Sequence, residues 1–142
     1  MKIYVASSWR NTYQPDMVSR LRSAGHDVYD FRNPYPGNNG FHWSEIDPDW
    51  QNWTPSQYRE ALWHPIAVDG YMTDFTAMGW ADVCVLLLPC GRSAHLEAGY
   101  FVGAGKPLHI LILKPCEPEL IYKMATGIHT TIGELMRYLE GR

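Results

Sequence analysis

Two carboxylates and two arginines supply the side chains that nucleophilic and acid–base chemistry need. Glu97 stands in Ser93-Ala94-His95-Leu96-Glu97-Ala98-Gly99-Tyr100, a stretch that reads as a helix over 93–104. With Ser93 as N-cap, Glu97 takes the fourth helical position, one beyond the glutamate of a capping box. That puts it in the first turn, where the macrodipole favours the ionised form. An ionised carboxylate there suits a nucleophile better than a general acid; the plainer reading is an ordinary acidic helix start. Asp74, 23 residues earlier, is the second candidate, its plainer reading a solvated helix residue. Asp82 reads as strand entry, and Asp69 with Gly70 as an Asp-Gly turn. Arg10 follows Ser7-Ser8-Trp9, and Arg92 lies between Pro89-Cys90-Gly91 and Ser93. Hydroxyls and a guanidinium leading into a helix N-terminus make an anion site, because free N–H groups and the dipole face the ligand. Ser93 is also expected to cap that helix.

Other chemistries lack their residues. Cys84, Cys90, His95 and Cys116 match no zinc spacing. No Gly-x-Gly-x-x-Gly or P-loop sequence follows a strand. Neither a metal nor a cofactor is expected.

Strand ends and helix starts must position these groups. Lys2–Ala6 reads as a buried strand, and Met17, Val18, Leu21 and Ala24 recur at helical spacing from Asp16 until Gly25 closes the helix. His26–Tyr29 reads as a second strand, completing a βαβ unit and a parallel sheet. Residues 31–55 are turn chemistry followed by Phe41, Trp43, Trp50 and Trp53, a long aromatic loop of the kind that is usually functional. Helical pattern returns over 56–64 and over 65–80, with Val68, Tyr71, Met72, Phe75, Met78 and Gly79 as the inner side. Asp82–Leu88 is a continuous apolar run, expected at the centre of the sheet with both faces covered. Gly99 and Gly103 are expected to let the next helix lie close on the sheet. Strands at 108–113 and near Ile128, a helix near 117–126 and a final helix from Thr131 complete the chain. The expected fold is α/β: one doubly wound, flavodoxin- or Rossmann-like domain spanning 1–142, with a mostly parallel five-stranded sheet. In such sheets ligands bind beyond the carboxyl ends of the strands, where the strand order reverses.

The chain has 142 residues, 46% hydrophobic and 19% charged, with 12 Lys+Arg against 15 Asp+Glu. A net charge of −3 argues against a binder of nucleic-acid polymer, which needs a basic face, and against a polybasic membrane-surface protein. The longest apolar run, 83–88, is too short to span a bilayer, and no secretory signal is read at the N-terminus. Three irregularly spaced cysteines suit a reducing cytoplasm. The surplus of tryptophan and tyrosine suggests a site for a flat ligand.

At these residues the sequence resembles the nucleoside 2-deoxyribosyltransferase family, including its branch of 2'-deoxynucleoside 5'-monophosphate N-glycosidases. Ile3-Tyr4-Val5-Ala6-Ser7-Ser8-Trp9 resembles the opening strand and loop, and Asp74 precedes Glu97 at the family's spacing. Ser93–Tyr100 with Gly105-Lys106-Pro107 resembles the catalytic helix and the strand after it. The likeness runs over about residues 2–113. It implies cleavage of an N-glycosidic bond with retention, Glu97 attacking the anomeric carbon and water or a second base resolving the ester. It further implies that Asp74 assists the leaving base, that Tyr4 holds Glu97 in line, and that Trp50 and Trp53 stack on the base. Ser7, Ser8, Arg10, Gly91, Arg92 and Ser93 would line the rest of the site. Gly91 departs from both branches, which carry Asp or Ser at that position. Arg10, six residues after Tyr4, matches the nucleotide branch and favours a 5'-phosphate. The resemblance also implies a small-molecule nucleoside or nucleotide as partner and a homodimer or higher oligomer, with Glu119, Tyr122 or Lys123 reaching a neighbour's site.

Rival readings are a phosphoribohydrolase, of whose glycine loop Pro89–Ser93 is a poor copy, an NAD-cleaving domain, and a non-catalytic nucleotide sensor on the same fold.

Overall fold

A computed structural model describes residues 1–141. Two compact units make up the chain: residues 1–30 with 80–142, and residues 31–79.

The first unit is a doubly wound sheet. Its strands are β1 (Lys2–Ala6), β2 (Asp27–Tyr29), β3 (Val83–Leu87), β4 (Leu108–Leu111) and β5 (Gly127–His129). All four pairings are parallel, in the order β2-β1-β3-β4-β5. The uninterrupted apolar run thus forms the central strand, with every residue of β3 buried. Helix α1 (Gln14–Ser23) begins two residues before its apolar periodicity does, because Pro15 fits the first turn of a helix. Its Met17, Val18 and Leu21 pack on Ile3, Val5, Val85 and Leu87, together with Leu135 and Leu139 of α5 (Ile132–Glu140). The opposite face carries α4 (Arg92–Gly103), which buries Ala94, Ala98 and Phe101. Phe101 meets Tyr4 with ring centroids 5.6 Å apart. Thr131 caps α5 by accepting the Glu134 N–H.

Three expectations are corrected here. Gly99 and Gly103 do not seat α4 on the sheet: a Cβ on either would meet nothing within 4 Å, and the alanine face makes the contact instead. Residues 117–126 are not an α-helix. Only Leu120–Met124 turn, as a 3-10 helix, because Pro115 and Pro118 keep the preceding chain extended. The strand expected over 108–113 ends at Leu111.

The second unit holds α2 (Pro55–Ala61), α3 (Pro65–Trp80, whose last residue lies in the first unit) and two 3-10 turns at Trp43–Glu45 and Trp50–Asn52. The aromatic loop is therefore folded. Trp43 stands edge-on to Phe41 and Trp53, with centroids 4.7 and 5.6 Å away. Asp69 and Gly70 form no turn but lie inside α3. Glycine fits closely there: a Cβ would stand 3.1 Å from the Phe41 ring, which would have to shift by a few tenths of an ångström. The expected inner side of α3 is also wrong, apart from Met78. Ala67, Ala77 and Met78 are buried, whereas Val68, Tyr71, Met72 and Phe75 are exposed. A helix apolar all round gives no periodic signal for which side is covered. Among the described residues no helix is long and apolar enough to cross a membrane.

Candidate active site

In a sheet ordered β2-β1-β3-β4-β5 the chain winds in opposite directions from β1 and β3, so a crevice opens beyond their carboxyl ends. The loops leaving those two ends carry most of the residues singled out above, and they are fastened to one another. The Ser7 hydroxyl donates to the Leu87 carbonyl at 2.9 Å. Asn11, buried, donates from Nδ2 to the Leu87 and Pro89 carbonyls at 3.3 and 3.0 Å. Its Oδ1 accepts the Tyr13 N–H at 2.8 Å, and the Ser8 hydroxyl accepts the Arg10 N–H at 3.1 Å. Asn11 escaped the sequence reading because one amide in a polar loop carries no periodic signal.

Glu97 meets Tyr4 in this crevice. The Tyr4 hydroxyl donates to Glu97 Oε2 across 93 residues of sequence. The tyrosine ring is fixed by stacking on Tyr29, 5.2 Å and 15° away, and by Phe101. Tyr4 is thus buried to its ring, and Glu97 is half-buried rather than sealed in apolar surroundings. The helix starts earlier than expected. Gly91, not Ser93, is the N-cap, with extended backbone and no side-chain cap bond, so Glu97 is the sixth helical residue. The macrodipole therefore acts on Glu97 less than a first-turn position implies, and the Tyr4 hydrogen bond supports the carboxylate directly. The same shift leaves Arg92 and Ser93 at the first two helical positions, both exposed, above a cap without a side chain.

Cys90 and His95 invite a cysteine-nucleophile reading, since Cys90 Sγ lies 3.8 Å from His95 Nδ1. The electrostatics oppose it. Burial, then the charge of Glu97, push the Cys90 thiol up to about 12, so it stays protonated at neutral pH. His95 Nδ1 is 2.8 Å from the Gly91 carbonyl, which can only accept, so Nδ1 carries a proton. Its Nε2 is 2.8 Å from the Tyr122 hydroxyl. Burial, then Cys90, Cys116 and Glu119, raise the Tyr122 phenol above its usual value. Tyr122, expected to reach a neighbouring subunit, is thus engaged within its own chain. His95 was dismissed for zinc, and nothing in its spacing announces this role.

The remaining expected residues lie in the second unit. Asp74 is half-buried on α3. Trp50 is exposed, and half-buried Trp53 donates its indole N–H to Asp47 at 2.8 Å. That bond, after the Asp49 N–H, holds the Asp47 carboxyl below its usual value. Trp53 also lines an open groove of about 770 Å³ with Asp47, Glu60, Trp63 and His64. Among the described residues no group of three or more His, Cys, Asp or Glu is placed to hold a metal ion.

No protein-family model and no curated protein matches the chain. Solved structures do. A 2-deoxyribosyltransferase from Bacillus psychrosaccharolyticus superposes with a TM-score of 0.62 at 18% identity, over 97% of this chain and 92% of that one. The CMP N-glycosidase of Clostridium botulinum gives 0.53 at 15% identity, over 99% of both chains. A conserved protein of Enterococcus faecalis V583 gives 0.64 at 13% identity, over 100% and 98%. The α/β fold of this chain is accordingly the one that a 2-deoxyribosyltransferase and a CMP N-glycosidase share, as the resemblance over residues 2–113 implies.

Proposed function

We propose that the protein belongs to the nucleoside 2-deoxyribosyltransferase family. It cleaves the N-glycosidic bond of a 2'-deoxynucleoside or its 5'-monophosphate through a covalent ester on Glu97. The observation that carries this reading is the Tyr4–Glu97 hydrogen bond at the mouth of the β1/β3 crevice. One Glu97 oxygen is held by a rigid phenol, which orients the carboxylate for attack. The likeness in fold to two enzymes of nucleoside chemistry supports the same reading.

In the first step a Glu97 oxygen bonds to C1' as the C1'–N bond breaks. The bonding pair leaves with the base, which Asp74, assigned from its place in the sequence, protonates or hydrogen-bonds. In the second step water, or the nitrogen of another base, attacks C1' and the ester oxygen departs as carboxylate. The incoming nucleophile gives its proton to Asp74, which acts as acid in the first step and base in the second. Retention follows from two inversions. The Tyr4 hydroxyl stabilises the carboxylate before the first step and after the second. Arg10, Arg92, Ser93 and the N–H groups above Gly91 take the 5' end, with Ser7 and Ser8 beside them, and Trp50 and Trp53 supply the flat contact for the base. The enzyme works as a homo-oligomer.

Two measurements test the reading. Incubation with deoxynucleosides, ribonucleosides, their monophosphates and NAD, followed by chromatography, should release free base from the deoxy compounds; binding without release would mark a sensor. A 2-fluoro sugar analogue should add one glycosyl mass, mapping to the peptide that contains Glu97. Glu97→Ala should lower turnover at least 1000-fold, within the range for loss of an essential nucleophile. Turnover within tenfold of wild type would overturn the assignment.

A further inference from the structure

We infer that His95 is a positioning residue: its imidazole ties the turn Leu120–Met124 to the start of α4 and so fixes one wall of the Glu97 site. The inference rests on the function proposed above for its catalytic consequence, but not for the tie itself.

The two ring nitrogens face different elements. Nδ1, 2.8 Å from the Gly91 carbonyl, donates to the residue that caps α4. The neutral ring then has one acceptor left, Nε2, and this is the atom 2.8 Å from the Tyr122 hydroxyl. The two rings lie nearly parallel, 12° apart. The bond spans 27 residues and joins elements that the sheet does not connect directly. It also matters where it sits. Cys90 lies 3.8 Å from the same Nδ1. Glu97 stands on the same helix two residues beyond His95, so the helix start that the tie secures is the one that carries the carboxylate.

The turn needs such a tie. Leu120, Ile121 and Met124 are exposed, Leu120 by 83%, and the turn buries no residue that would anchor it by packing. Glu119 before it and Ala125 after it are extended. Without the His95 bond, the segment between β4 and β5 would be held at its ends, where Thr126 N–H meets the Leu108 carbonyl at 2.8 Å, and not at its middle. A residue acting through segment position changes binding more than chemistry. Substrate affinity is therefore expected to carry the effect, with the bond-breaking step little changed.

The experiment uses the full chain and the variants His95→Ala, His95→Gln, Tyr122→Phe and the His95→Ala/Tyr122→Phe pair. Hydrogen exchange of residues 119–126 is measured without substrate, and KM and kcat are measured for base release. His95→Ala and Tyr122→Phe should each speed exchange of that segment at least tenfold. The pair should not exceed His95→Ala, because both single variants break the same His95–Tyr122 bond. KM should rise five- to twentyfold with kcat within threefold, and His95→Gln, whose amide oxygen can accept from Tyr122, should recover part of both. Unchanged exchange, or additive effects in the pair, would overturn the tie. Faster exchange with KM unmoved would overturn its role in the site. A fall in kcat with a shifted pH profile would make His95 an acid–base group instead. Failure of the functional reading is read separately, as absence of base release from the wild-type chain.

Discussion

At the scale of single residues, Tyr4 separates positioning from packing. Its ring stacks on Tyr29 and packs at a tilt against Phe101, while its hydroxyl reaches Glu97. Tyr4→Phe keeps the stacking and removes the bond. A hydrogen bond to a charged group is worth roughly 1.5–3 kcal/mol. We therefore expect kcat to fall about 10- to 100-fold, with KM and melting temperature close to wild type. An equal loss of stability would mean that the hydroxyl serves the fold. Arg10 tests the 5' end. Arg10→Ala should raise KM for a deoxynucleoside monophosphate at least tenfold more than for the free nucleoside, since a phosphate-specific contact is lost. Equal effects would remove Arg10 from phosphate recognition. The Tyr4–Glu97 partnership was legible in the sequence through the family resemblance. The His95 bonds and the buried Asn11 were not, because each depends on which loops adjoin, a matter of topology that no local spacing encodes.

At the scale of elements, the strand ends work as a pair because the loop after β1 is latched to the loop after β3. Asn11 makes the latch with its amide NH2 on two carbonyls. Asn11→Ala should cost about 1–3 kcal/mol, from carbonyls left short of a donor. Asn11→Asp is the sharper variant. Ionised, it would set a carboxylate against the Leu87 and Pro89 carbonyls, so its folded-state pKa would rise above the usual value near 4. A raised carboxyl pKa means that the folded state holds its proton more tightly. Stability of Asn11→Asp should therefore recover as pH falls from neutrality towards about 4. Chemical denaturation at several pH values reads this, and a pH dependence matching Asn11→Ala would refute the latch. All five strands and the five α-helices were legible, with one surplus helix read near 117–126, since β-rich runs and helical periodicity are local signals. Three boundaries shifted where a local constraint competes: Pro15 inside α1, Pro118 before the 3-10 turn, and Gly91 taking the cap from Ser93. Gly70 misled for another reason, because contact with Phe41 overrides its turn preference.

At the scale of the whole molecule, charge and apolar surface are unevenly shared. Residues 31–79 carry Arg32 and Arg59 against six carboxylates, a formal −4, leaving +1 of the chain's −3 to the sheet unit. An anionic group is better met on the sheet unit, the unit that carries Arg10 and Arg92. The acidic unit nevertheless exposes Val68, Tyr71, Met72 and Phe75 at spacings of three, one and three residues, one stripe along α3, with Tyr71 and Phe75 stacked 5.4 Å apart. A long apolar stripe open to water is what an interface between copies requires. In a symmetric pair the stripe would meet its own image. The sequence reading places these residues in the core of one chain, because a largely apolar helix carries no signal of which side is covered. We expect sedimentation velocity to give a dimer or larger species at micromolar concentration. Tyr71→Glu with Met72→Lys should convert it to a monomer of unchanged helix content, because desolvating two charges on the stripe opposes association. A wild-type chain that sediments as a monomer at about 100 µM, where even a weak specific pair would form, would refute self-association. An oligomer that survives the paired substitution would move the interface off α3.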